Sequence, residues 1–222
     1  MFNINPAAAK AYDQRGGYIS QAGKYTGKIE SLIWHVKDSQ SGQSQGVFLN
    51  FISDDRQKAR FYINTSYHGG TQNERGIATI NALLSVVRER SSCDPVPCTI
   101  KEYDKDLKQE VDVQRECFAR LHGKPLGIVV QMVHEDGQER PKPELYSLFE
   151  PATEMTASEI HNRATEPAQL GKVLAYIADN PLYDKRRSGS VPPPPKRQEQ
   201  QTGQPQPQDD IDDDIPFYHL VV

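Results

Sequence analysis

The segments YTGKIESLIWHVK (residues 25–37), VFLNFIS (47–53) and RFYINT (60–65) decide the fold. Each is rich in β-branched and aromatic residues, and stretches containing Gly or Asp (39–46 and 53–58) separate them, which predicts three strands of an antiparallel meander. The period then changes. Ile77, Ile80, Leu84 and Val87 fall at helical spacing within residues 75–90, so one amphipathic helix follows the three strands. Beyond it, residues 99–103 and 110–113 predict a small hairpin across 104–108, and residues 125–133 with 144–149 predict a longer pair. Thr156-Ala-Ser-Glu159 has the spacing of a capping box, and Leu170, Val173, Leu174 and Ile177 form a second helical stripe that Asn180-Pro181 stops.

Three strands, a helix and then further strands is the order of a five-stranded OB barrel, whose helix lies between the third and fourth strands; other small β-barrels share it. The fold class predicted is mainly β: an OB-fold-like β-barrel with a helix between strands three and four, an extra C-terminal helix and a disordered acidic tail. The domain plan is a body of residues 1–187, a linker of 188–208 and a tail of 209–222. The linker, SGSVPPPPKRQEQQTGQPQPQ, holds six Pro and six Gln among 21 residues, too little apolar surface to offset the entropy of ordering. Its four consecutive prolines favour an extended stretch that holds the tail away from the body.

At 222 residues, 36% hydrophobic and 25% charged, with a mean hydropathy of −0.70, the chain can build one sizeable core. No apolar run approaches the ~20 residues of a membrane-spanning helix, which excludes a protein built of such helices and leaves no membrane partner expected. No basic segment followed by an apolar one opens the chain, so the expected location is the cytoplasm. Three cysteines cannot all pair within one chain, and reduced thiols are expected. The net charge of −4 is uneven. Asp209, Asp210, Asp212, Asp213 and Asp214 set an acidic tip, whereas residues 1–90 carry eleven basic residues against seven acidic ones. The front of the chain is mildly basic.

Strand alternation gives the site. In the first strand Ile29 and Ile33 share a parity, so the opposite face carries Lys28, Glu30, Leu32 and Trp34. In the second, Val47, Leu49 and Phe51 point inward, leaving Phe48 and Asn50 outward. In the third, Phe61 and Ile63 point inward, while Arg60, Tyr62 and Asn64 point outward. Lys28, Trp34, Phe48, Asn50, Arg60, Tyr62 and Asn64 are therefore the expected residues of a site for single-stranded nucleic acid. Rings interleaved with cations suit a single strand, because bases stack on rings and phosphates need positive charge. The other reading of Trp34 and Phe48 is that they pack under helices or against a partner.

Cys93, Cys98, Cys117 and His122 are four zinc-type ligands at x4 spacings, looser than the strong finger signatures, and no metal or other cofactor is expected. The sequence holds no phosphate-cradling GxxxxGK[ST], no GxSxG and no HExxH, and Asp104, Asp106, Asp112 and Glu116 alternate with Lys101, Lys105 and Lys108 as on a solvated hairpin. A binding protein is expected, not an enzyme.

Asp212-Asp213-Asp214-Ile215-Pro216-Phe217, after a Gln/Pro/Gly-rich linker, resembles the acidic tip of bacterial single-stranded DNA-binding proteins. The opening Gly23-Lys24-Tyr25, Trp34 late in the first strand, the Phe61-Tyr62-Ile63-Asn64 strand and the helix after it resemble OB-fold single-stranded DNA-binding proteins of bacteriophages. The resemblance implies a protein that coats and protects single-stranded DNA during phage replication, recombination or repair, in the cytoplasm of the bacterial host. It also implies that Asp212, Asp213, Asp214, Ile215, Pro216 and Phe217 recruit replication or recombination proteins. In the bacterial family the last Phe carries the terminal carboxylate. Here Tyr218-His219-Leu220-Val221-Val222 follow Phe217, whose carbonyl is an amide. The alternative is a protein–protein interaction hub of the same machinery with little DNA binding of its own.

Overall fold

The computed structural model describes residues 16–39, 42–104 and 106–186; the expected linker (188–208) and tail (209–222), with Asp212 to Phe217, lie outside the described residues. The meander forms as β1 (Gly23–Ser39), β2 (Gly42–Ser53) and β3 (Lys58–Ser66). The polar stretch read as a spacer between the first two strands is part of them. Their ladder runs on through Val36↔Gln45 and Lys37↔Ser44 to Ser39↔Gly42, because backbone pairing nucleated by the apolar middle extends through residues whose side chains add little.

Helix α1 (Glu74–Val86) follows, opened by the Asn73 side chain, which accepts from the Gly76 N–H. It ends earlier than the periodicity suggests, with Arg88 at φ 57° just beyond it. Gly76 lets α1 lie directly on β3: a Cβ there would stand 1.7 Å from the Asn64 carbonyl oxygen. The hairpin forms as β4 (Val96–Asp104) and β5 (Gln109–Cys117), and the longer pair as β6 (Pro125–His134) and β7 (Lys142–Phe149). Then come the short helix α2 (Ala157–His161), helix α3 (Gln169–Asp179) and a strand the sequence did not announce, β8 (Leu182–Asp184), which runs parallel to β6.

Among the described residues all eight strands belong to one sheet, antiparallel apart from the β6–β8 contact. β1 is its pivot. Its first part, Gly23 to Lys28, pairs with β6, while further along Ile33 meets Cys117 of β5. The main core lies between the inward face, with Leu49, Phe51 and Phe61, and Leu83 and Val86 of α1. Each such fully buried side chain contributes about 1.5–3 kcal/mol. A second cluster joins Val129 and Phe149 to Leu170 and Ile177 of α3, and a third joins Ile33 to Ile100 and Cys117 at the root of the hairpin.

The closed barrel is corrected. β3 and β7 are the strands that would have to meet, and no ladder joins them among the described residues. A cleft of about 450 Å³ separates them, lined by Arg60 to Asn64 on one side and Lys142 to Leu145 on the other. No helix among the described residues is long and apolar enough to cross a membrane.

One carboxylate joins the two C-terminal helices. Glu159 Oε2 accepts from the Thr156 N–H and hydroxyl at 2.9 and 2.8 Å, and Oε1 accepts from the N–H groups of Ala168 and Gln169 at 2.6 and 2.7 Å. It thus satisfies donors at the start of both α2 and α3. Burial pulls this carboxyl up, but the four bonds outweigh it and hold its pKa at about 2.

Candidate nucleic-acid interface

A β-bulge decides which residues of β1 face outward. Ile29 pairs with Phe51, but Ser31 pairs with Asn50, so Glu30 is an extra residue that reverses the alternation of everything after it. It sits where β1 changes partner: the Ile29 N–H donates to the Lys124 carbonyl and the Ile29 carbonyl accepts from the Gly123 N–H. Trp34 is therefore corrected. It pairs with Val47 on the core side, half-buried against the main core and edge-on to Phe118 at 6.0 Å. Leu32 is buried in that core too. Ile33 and His35 take the outward positions.

The outward face of β1–β2–β3 is then a set of cross-strand rows: His35–Gly46–Asn64, Ile33–Phe48–Tyr62, Ser31–Asn50–Arg60 and Lys28–Ile52–Lys58. Phe48, Asn50, Arg60, Tyr62, Asn64 and Lys28 lie there, as alternation in their own strands or before the bulge predicts. Three rings cluster: His35 stands 5.0 Å from Phe48 and 6.1 Å from Tyr62, with Phe48 and Tyr62 4.9 Å apart. Gly46 makes the slot for Tyr62, since a Cβ there would stand 2.5 Å from the Tyr62 hydroxyl. The Arg60 guanidinium lies over the Phe48 ring at 4.1 Å.

No family model and no curated protein sequence matches this chain.

The rings differ in availability. Phe48 is half-buried, with Arg60 on its ring and the Ile33–Ile100–Cys117 cluster against it. Tyr62 is 46% exposed and offers a face to solvent; partial burial still raises its pKa. Asn50 is tied down, donating from Nδ2 to Ser31 Oγ at 2.8 Å. Asn64 accepts from the Ser66 N–H and lines the cleft beside β7, so Arg60, Tyr62 and Asn64 belong to both the outward face and the cleft. Lys28 is exposed two rows from the rings. His35 is the ring that sequence reasoning missed, because no local pattern in β1 marks Glu30 as the extra residue that turns it outward.

The four zinc-type ligands do not gather. Cys98 packs beside the buried Cys117 under the hairpin, and burial first, then the Cys98 thiol, pushes the Cys117 thiol up to about 11. Cys93 is exposed and accepts from Arg120, while His122 Nε2 accepts the Leu32 N–H. Burial lowers the His122 pKa. Among the described residues no group of three or more metal-ligating side chains converges.

Proposed function

We propose that this chain binds single-stranded DNA through the outward face of β1–β2–β3, without sequence specificity and without chemistry, and that its acidic end recruits replication or recombination proteins. The observation that carries the reading is Arg60 over Phe48 beside the exposed Tyr62, a cation and a stacking surface in one place. Bases stack on such rings whatever their identity, while phosphates take the cations. The strand order supports it as well. β3-β2-β1-β6-β7 with α1 after β3 is the order of an OB fold open at its β3/β7 seam, with the β4–β5 hairpin inserted before the fourth barrel strand. In that fold the face of the second and third strands takes oligonucleotides. The proposal of a phage origin rests on the resemblance of Gly23-Lys24-Tyr25, Trp34 and the Phe61-Tyr62-Ile63-Asn64 strand with the helix after it to bacteriophage proteins, and Asp212 to Phe217 remain the residues proposed for partner recruitment.

A salt titration of fluorescent oligo-dT binding, with duplex DNA and RNA competitors, tests the reading. Affinity is expected to fall steeply as salt rises, because bound phosphates release counterions. No binding at low salt would leave the interaction-hub reading instead. Within the same titration, Arg60→Ala is expected to weaken binding to all sequences alike and to make the slope of log K against log salt shallower by about 0.7, the single-strand value for one contact. Lys28→Ala added to it is expected to lower the slope again by a similar amount. An unaltered slope in the double variant would remove both residues from the phosphate path.

A further inference from the structure

The β4–β5 hairpin places carboxylates against the cations of β3. Glu102 Oε1 stands 3.6 Å from Arg60 Nη2, and Glu102 Oε2 stands 2.7 Å from Arg115 Nη2. Glu110 stands 3.9 Å from Lys58, which also pairs with Glu30 at 3.0 Å. The hairpin is held at its root by Ile100 and Cys117 on Ile33. Glu102 is the least exposed member of its group, at 19%, whereas Arg60 and Arg115 are 48% and 47% exposed. Two guanidinium groups from strands remote in sequence thus converge on one pair of carboxylate oxygens.

We propose that Arg60 and Arg115 form a phosphate-binding site, which the Glu102 carboxylate fills in the DNA-free chain and a phosphodiester of the single strand fills in the complex. This rests on the reading of the outward face as the DNA surface, and adds Arg115 and Glu102 to it. Carboxylate and phosphate present paired oxygens to the same planar guanidinium donors, so one can replace the other without moving the arginines. The exchange runs toward DNA because both guanidinium groups are about half exposed and solvent weakens their hold on Glu102, while a phosphate arrives in a row of charges whose counterions are released on binding. Arg60 stays on the Phe48 ring through the exchange, and a phosphate on it leaves its base beside Tyr62 and His35.

The test uses the full chain and fluorescent oligo-dT. Glu102→Gln keeps the shape of the side chain and removes its charge, and is expected to tighten binding at low salt by roughly three- to tenfold. Arg115→Ala is expected to weaken binding and to make the salt slope shallower by about 0.7. In the double variant the tightening should be largely lost. Unchanged or weaker binding by a folded Glu102→Gln protein would mean that the carboxylate merely positions Arg60, and would overturn the site while leaving the DNA reading standing. Absence of oligo-dT binding by the wild type would overturn both. Melting curves establish that the variants fold; should Glu102→Gln fail to, the Arg115→Ala slope decides, an unchanged slope sinking the proposal.

Discussion

Tyr62→Ala is expected to weaken oligo-dT binding by about 1 to 3 kcal/mol, roughly 5- to 150-fold, with little change in melting temperature. Tyr62 is 46% exposed and its ring lies across Gly46, so its removal uncovers little core while it takes away the accessible stacking face. Trp34→Ala should do the reverse. That ring packs on the main core and edge-on to Phe118, and its loss is expected to cost about 2 to 3 kcal/mol of stability, below the roughly 3 to 5 of a fully buried large aromatic. For a chain of this size the melting temperature falls by about 2–4 °C for each kcal/mol. Oligo-dT affinity, measured well below that temperature, should stay near the wild-type value. The two variants measured side by side discriminate the faces of β1: normal stability with lost binding in Trp34→Ala would show that the bulge does not turn the strand as described.

Glu159→Gln is expected to destabilise the body by about 2 to 3 kcal/mol at neutral pH, with the difference shrinking in acid. The carboxylate accepts four hydrogen bonds from the starts of two helices, and a neutral amide keeps one acceptor oxygen and brings two donors among donors. The direction with pH follows from its depressed pKa. Unfolded, the group titrates near 4.5; folded, burial raises it and the four bonds bring it down to about 2. Its contribution is therefore fully present above about pH 4.5 and is lost as pH falls toward about 2. Denaturant unfolding of wild type and Glu159→Gln at pH 7 and at pH 3 checks this. A gap that is the same at both values would mean that the charge of Glu159 does not hold α2 and α3 together.

How far the sequence reaches is clearest at β1 and at Glu159. Val47, Leu49, Phe51, Phe61 and Ile63 are inward as the alternation of β2 and β3 predicts, because those strands keep a period of two throughout their apolar parts. The same rule fails in β1 after Glu30. Ile33 and Trp34 are both large and apolar, so composition could not tell which belongs to the main core; the bulge, set by contacts with the chain near Lys124, decided it. Thr156 and Glu159 were legible as a capping box, a local pattern of side chain and backbone. That Glu159 also caps the following helix was not, since Ala168 reaches it only after the chain has turned.

The sequence by itself determined a mainly β chain, the helix after the third strand, the hairpin and its following pair, and an outward Phe48, Arg60 and Tyr62, all consequences of local periodicity and turn chemistry. Only the tertiary structure decided that β3 and β7 stay apart, that β8 adds to β6, that His35 replaces Trp34 beside the rings, and that Glu102 stands between Arg60 and Arg115. Each of these depends on pairing between segments distant in the chain, where the geometry is set by which strand edge meets which and no local pattern of residues encodes it.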